Sequence, residues 1–169
     1  FSTFHIIDIE NCSQVGEYKG QLPPKEFAHL LVGIATEYNN ALLVVENANI
    51  GWSTIETIQE RGYTNLYHSP KSGNVTADSY FDPHGINSNM TPGFTTSSKT
   101  RPLVIAKLQE SINDKSAIIR SKRTLDELKV FIWRNNRAEA QSGYNDDLVI
   151  PWGIAMYVRE TAFRIQRGN

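Results

Sequence analysis

At 169 residues, two-fifths of them apolar, the chain is long enough for one hydrophobic core and short for two, so a single domain spanning 1–169 is expected. Seventeen Lys and Arg residues against eighteen Asp and Glu leave a net charge of −1, which rules out a generally basic nucleic-acid coat; contact with a polyanion would need a local patch. The single cysteine, Cys12, excludes an intramolecular disulfide, and no apolar run reaches the roughly 20 residues that span a bilayer.

In chain order, Phe4–Ile9 and Gln14–Tyr18 are rich in β-formers and are joined by the turn-forming Glu10-Asn11-Cys12-Ser13, which predicts an antiparallel hairpin. Phe1 leads directly into it, so the chain is expected to start within a domain. Pro23-Pro24 opens a helix whose apolar positions Phe27, Leu30, Leu31, Ile34, Ala35 and Tyr38 recur at one-sided spacing. Asn39-Asn40 ends it. The continuous apolar run Ala41–Val45 then predicts a central strand covered on both faces. Gly51 to Gln59 reads as a second helix stopped by Gly62, and Asn65–His68 as a short strand.

From Ser69 to Thr96 the composition turns to Gly, Pro, Asn, Ser, Thr and Asp, a stretch long enough for a functional flap or an insertion. Asp78, Asp82 and His84 within it match no defined metal spacing. Thr100–Asn113 is a third helix with Leu103, Ile105, Leu108 and Ile112 as its apolar face. Thr124 is positioned to cap a short helix over Leu125 and Leu128, and Val130–Trp133 with Ala138–Ala140 suggests a second hairpin. Asn145-Asp146-Asp147 caps a final helix from Leu148 to about Arg164. Trp52, Trp133 and Trp152 are expected to fill the core, and His5, His29 and His68 to be satisfied or surface groups. This alternation predicts an α/β domain: a mixed sheet with helices on both faces.

Two places carry candidate chemistry. Glu46 follows the run Leu42–Val45, at the carboxyl end of the expected central strand, where open α/β sheets place ligands; a lone acid there is more often simply solvated. Asp146 and Asp147 precede the last helix; capping accounts for one acid but not especially for two. If the two clusters meet, oxygen-rich sites of this kind suit Mg²⁺ or Mn²⁺, and a pair of ions about 3.5–4 Å apart can hydrolyse a phosphodiester. Lys71, Lys99, Arg101, Lys122, Arg123, Arg134 and Arg137 are basic candidates for phosphate contact, with Lys99 and Arg101, beside a Gly/Thr-rich loop, the better placed.

The segments Glu17–Gly20, Pro23–Ala28, Tyr38–Ala41, Val44–Asn49, Gly93–Thr96, Lys99–Pro102, Ala138–Ala140 and Gly143–Val149 resemble, in order, the nuclease domain of tailed-phage large terminase subunits. The resemblance implies a ribonuclease H-like mixed sheet flanked by helices, and a two-metal endonuclease that cuts concatemeric double-stranded phage DNA during packaging. It matches Glu46 to the acid after the central strand and Asp146-Asp147 to the acid pair before the last helix, with Asp147 as direct ligand and Asp146 as ligand or support. The family's first aspartate lies on a strand preceding the segment that matches Phe1, so that strand is expected to be missing here, with activity reduced and the gap open to self-association. The resemblance further implies a portal and a small terminase subunit as partners and the infected host cytoplasm as location, with no membrane. No G-x-x-x-x-G-K-[ST] motif is present, so the family's packaging ATPase is not expected in this chain. Two alternatives stay open: a related junction resolvase, and a docking module that binds DNA or packaging proteins without cutting.

Overall fold

Asp8 closes the first turn of the chain. Its carboxylate accepts from the backbone of Glu10 and the side chain of Asn11, and Cys12 takes a positive φ of 50°, so the chain reverses as expected. The result is an antiparallel hairpin of β1 (Ser2–Asp8) and β2 (Ser13–Gly20). The computed structural model describes residues 1–71 and 89–167, so Asp78, Asp82, His84 and most of the 69–96 stretch lie outside the described residues.

The chain divides into two compact units, Phe1–Gln21 with Lys99–Asn169, and Leu22–Ser98. Among the described residues the strands form three two-stranded antiparallel pairs, supplemented by isolated parallel bridges, instead of one continuous ladder. No helix among these residues is long and apolar enough to cross a membrane.

In the first unit the hairpin is joined by α3 (Thr100–Asn113), α4 (Lys122–Lys129), a hairpin of β5 (Phe131–Arg134) and β6 (Arg137–Ala140), and α5 (Val149–Arg167). The apolar stretch at Ala117–Ile119 runs beside β2: Gln14 N–H donates to the Ile118 carbonyl and Ile118 N–H to that of Cys12. Asn135 and Asn136, both at positive φ, make the tight turn between β5 and β6. Leu148, Val149 and Trp152 are fully buried, each aliphatic contributing about 1.5–3 kcal/mol, and Val149 and Trp152 cluster with Cys12, Leu108 and Met156. Gly153 allows α5 to approach α3: a Cβ there would stand 2.8 Å from Val104 Cγ1.

Several expectations are corrected. Helix α3 buries Val104, Ile105, Leu108 and Ser111, while Leu103 and Ile112 are exposed: the helix faces α5 through Val104 and Leu108, the side chains that a Cβ at Gly153 would meet. Ser121, not Thr124, caps α4: Ser121 Oγ accepts from Thr124 N–H, and Thr124 itself is fully buried. Of the three tryptophans only Trp152 fills a core; Trp52 and Trp133 are exposed, the latter on the short β5–β6 hairpin with no layer over it.

The second unit contains α1 (Pro24–Glu37), α2 (Gly51–Glu60), β3 (His68–Pro70) and β4 (Met90–Pro92). Its buried residues are Ala28, Leu31, Val32 and Ala35 on α1, Ile55 and Ile58 on α2, and Leu66, Tyr67 and Phe94, the last two with ring centres 6.0 Å apart. The run Leu42–Val45 is extended but only half-buried, and not the doubly covered strand expected. Among the described residues its backbone bonds leave through residues 43, 45 and 47: Leu43 exchanges with Asn65 and Tyr67, while Val45 and Asn47 exchange with Phe94. All of them therefore leave one edge of the segment.

Candidate functional site

The acid pair Asp146-Asp147 is held in the first unit by three elements. From β1, Thr3 Oγ1 donates to the Asp147 carbonyl at 2.7 Å and His5 Nε2 meets the Leu148 carbonyl at 2.8 Å. From β2, Lys19 Nζ lies 3.1 Å from Asp147 Oδ2 and 2.5 Å from Glu127 Oε1. From α4, the other oxygen of Glu127 accepts the N–H of Leu148 at 2.7 Å. The last helix is thus introduced by a carboxylate from elsewhere in the fold, whereas Asp147 turns its own carboxylate to Lys19.

Gln14 explains why His5 is oriented as it is. Its Oε1 accepts from the N–H groups of Arg120 and Ser121 at 2.8 and 2.7 Å, which fixes the amide and directs Nε2 to His5 Nδ1 at 2.9 Å. His5 Nδ1 must then accept, so the proton sits on Nε2 and is donated to Leu148. Burial pushes the His5 pKa below its ordinary value, against the raising influence of the Leu148 carbonyl and of the charges on Glu17 and Glu127.

These groups share one face of the hairpin because of a β-bulge. The register passes from Ile6↔Gly16 to Ile7↔Gln14, leaving Val15 as the extra residue. The bulge brings Glu17 and Lys19 to the same side as Gln14, and Thr3 and His5 stand opposite Lys19 and Glu17. Glu17 is itself engaged by the Ser121 hydroxyl and by Arg123, 2.8 Å away.

Charge around the acid pair is incompletely balanced. Burial raises the Asp146 pKa and the neighbouring Asp147 adds to this, while Arg101, 4.0 Å away, opposes it. Burial works against the charge on Lys19, yet the hydrogen bonds and charges of Glu127 and Asp147 outweigh it and hold its pKa above the ordinary lysine value. Arg101 also donates to the Ala138 carbonyl at 3.0 Å, tying α3 to β6. Of the other basic candidates, Lys122 pairs with Asp126, Arg123 with Glu17 and Arg137 with Glu139.

Glu46 belongs to the second unit. It is exposed, and its Oε1 accepts from Thr96 Oγ1 at 2.5 Å. The backbone around it is tightly constrained. Asn47 is buried and donates through Nδ2 to the Pro92 carbonyl and to Thr95 Oγ1, both at 2.9 Å. A Cβ on Gly51 would fall 1.9 Å from the Glu46 carbonyl oxygen, and one on Gly93, at φ +85°, would fall 2.6 Å from that of Val45. Two glycines and a buried amide thereby fix the end of the run that carries Glu46.

Asp146 and Asp147 are therefore brought together with Lys19, Glu127 and Arg101, and Glu46 with Thr96. Among the described residues no three His, Cys, Asp or Glu side chains are gathered closely enough to chelate a metal ion. The Lys19 ammonium stands between two of the acids, Glu127 and Asp147.

No family model matches the chain. Among solved structures, the chain is similar to the large terminase nuclease from the thermophilic phage G20c, determined with bound cobalt. The likeness has a TM-score of 0.65 and 16% sequence identity, and covers 91% of this chain and 72% of that one. It establishes a common mixed α/β fold.

Proposed function

We propose that this chain is a nuclease domain of the large-terminase type, cutting duplex DNA with divalent metal ions, Mg²⁺ or Mn²⁺, on a ribonuclease H-like sheet. The observation that carries the reading is the fold likeness to a cobalt-bound terminase nuclease over 91% of the chain. The order of motifs in the sequence and the crowded acids before α5 support it.

In this reading Asp147 is a direct metal ligand, Asp146 a ligand or support, and Glu46 a further ligand. Divalent cations, when bound by these acids, would supply an activated water and charge stabilisation for the leaving oxygen of the phosphodiester. The chain's own residues do the positioning. Thr3 and His5 fix the backbone at Asp147 and Leu148, Glu127 holds the Leu148 amide, and Thr96 orients Glu46. Arg101, with Lys99 two residues earlier, supplies positive charge for DNA phosphates, a contact that positions the duplex without reading its sequence. A portal and a small terminase subunit are the partners of the intact machine, in an infected cell.

A second reading, a module that binds DNA without cutting it, is favoured by the cations already engaging the acid pair, Lys19 at Asp147 and Arg101 at Asp146. Incubation with supercoiled plasmid separates the two. The nuclease reading expects nicked and linear products with Mn²⁺, lost on adding EDTA and in Asp147→Asn. Retained duplex binding with no cleavage under any metal would support docking instead.

A further inference from the structure

We propose that the tip of the β5–β6 hairpin is a DNA-contacting arm that enters a groove of duplex DNA, with Arg134 and Arg137 on phosphates of one wall and Trp133 against the other. The inference rests on the reading above that the chain acts on duplex DNA, and adds to it a contact made away from the acids. The register sets Arg134 directly opposite Arg137, so both side chains leave the same face of the ribbon, and Asn135 and Asn136 close the turn between them at positive φ. Like charges facing each other across a hairpin repel, and this pair is poorly neutralised. Arg137 reaches Glu139 only at 3.9 Å, and Arg134 has no acidic partner among the described residues. An anion between the two guanidinium groups removes the repulsion, and a phosphate offers the oxygens that their planar forks bind best.

The opposite face of the ribbon holds it to the protein. Phe131 packs against the core that contains Leu108 and Trp152, and Ala138 is buried. Trp133 shares that face but stands nearer the tip, 61% exposed, with only Ala138 across from it. The ribbon therefore ends with two unneutralised cations on one face and a free indole on the other, the arrangement of an element lying between two walls. The major groove of B-form DNA, about 12 Å wide, admits a two-stranded ribbon, and its walls carry phosphates beside apolar sugar and base edges. The arm is also joined to the acid pair. Arg101, 4.0 Å from Asp146, donates to the Ala138 carbonyl at 3.0 Å, and the turn begins two residues, about 7 Å, beyond that carbonyl.

The test is binding of a short fluorescein-labelled duplex to the whole chain in EDTA, where no cutting occurs, followed by anisotropy over a range of KCl concentrations. Arg134→Ala and Arg137→Ala are each expected to weaken binding about fivefold and to lower the salt slope by about one. Trp133→Ala is expected to weaken binding severalfold at an unchanged slope, because its contact carries no charge. Duplex should also quench tryptophan emission, an effect lost in Trp133→Phe and kept in Trp52→Phe, since Trp152 is fully buried. Wild-type affinity and slope in all three alanine variants overturn the arm while leaving the DNA reading intact. Absence of duplex binding by the wild-type chain at low salt overturns both, and tighter binding of the single strand of the same length overturns the groove contact. If a variant fails to fold, modification of the wild-type chain by phenylglyoxal replaces it: duplex is expected to slow the reaction at Arg134 and Arg137 severalfold, and an unchanged rate overturns the proposal.

Discussion

Glu127 accepts the backbone N–H of Leu148 at 2.7 Å while its other oxygen holds Lys19, so one side chain on α4 ties β2 to the entry of α5. Truncation by Glu127→Ala deprives both groups of their partner at once, leaving the buried Leu148 amide and a largely buried ammonium with less compensation. The expected loss is about 2–3 kcal/mol after allowing for residual exposure of the pair, measured as a lower urea midpoint at unchanged slope.

Gly93 is expected to tolerate no side chain. At φ +85° an alanine is strained, and its Cβ would also meet Ile55 Cδ1 and the Val45 carbonyl at 2.5 and 2.6 Å. Gly93→Ala should cost more than about 1 kcal/mol by thermal or chemical unfolding, and Gly51→Ala, facing the Glu46 carbonyl, should do the same. A wild-type midpoint in either variant would contradict the close approach described for the Glu46 segment.

Asp146 is an acid held where its charge is unwelcome. Its folded pKa is raised, first by burial and then by Asp147, so at neutral pH its ionisation works against the fold, Arg101 notwithstanding. Asp146→Asn is accordingly expected to raise the thermal midpoint. A lowered midpoint in scanning calorimetry would show that Arg101 contributes more than burial removes.

His5 makes stability depend on pH. Burial lowers its pKa in the folded chain below the ordinary 6.5, so just below pH 6.5 the unfolded chain binds more protons than the folded one. The contribution of neutral His5 is complete above that value and is lost as the pH falls from 6.5 toward the lower folded pKa. Urea titrations between pH 7.5 and 5 should show this decline, and His5→Gln should flatten it.

Much of the fold could be read from the residues, because strong local signals coincide with tertiary structure. Pro23-Pro24 and Gly62 bound their helices, and the β-formers on either side of Cys12 pair as the composition implies. The acid positions before α5 and after the Leu42–Val45 run could also be singled out. The groups that hold them could not. A period-two reading of β2 places Gln14 on the face opposite Glu17 and Lys19, and the bulge at Val15 that reunites them has no clear signature in Gln-Val-Gly-Glu. Glu127 sits on a strongly charged helix and looks like one more solvated acid until Lys19 and Leu148 are seen beside it. The apolar run Ala41–Val45 misleads in the other direction: its composition suits a doubly covered strand, yet it is half-buried and among the described residues its ladder bonds leave one edge.

The central claim, that of the proposed function, is a metal-dependent DNA-cutting reaction that needs Asp147 and Glu46. The most direct test is Mn²⁺-dependent plasmid cleavage by Glu46→Gln and Asp147→Asn, each verified as folded. The account predicts that each change slows cleavage by at least about a hundredfold, nearly 3 kcal/mol of barrier. Cleavage at the wild-type rate in either variant would contradict it.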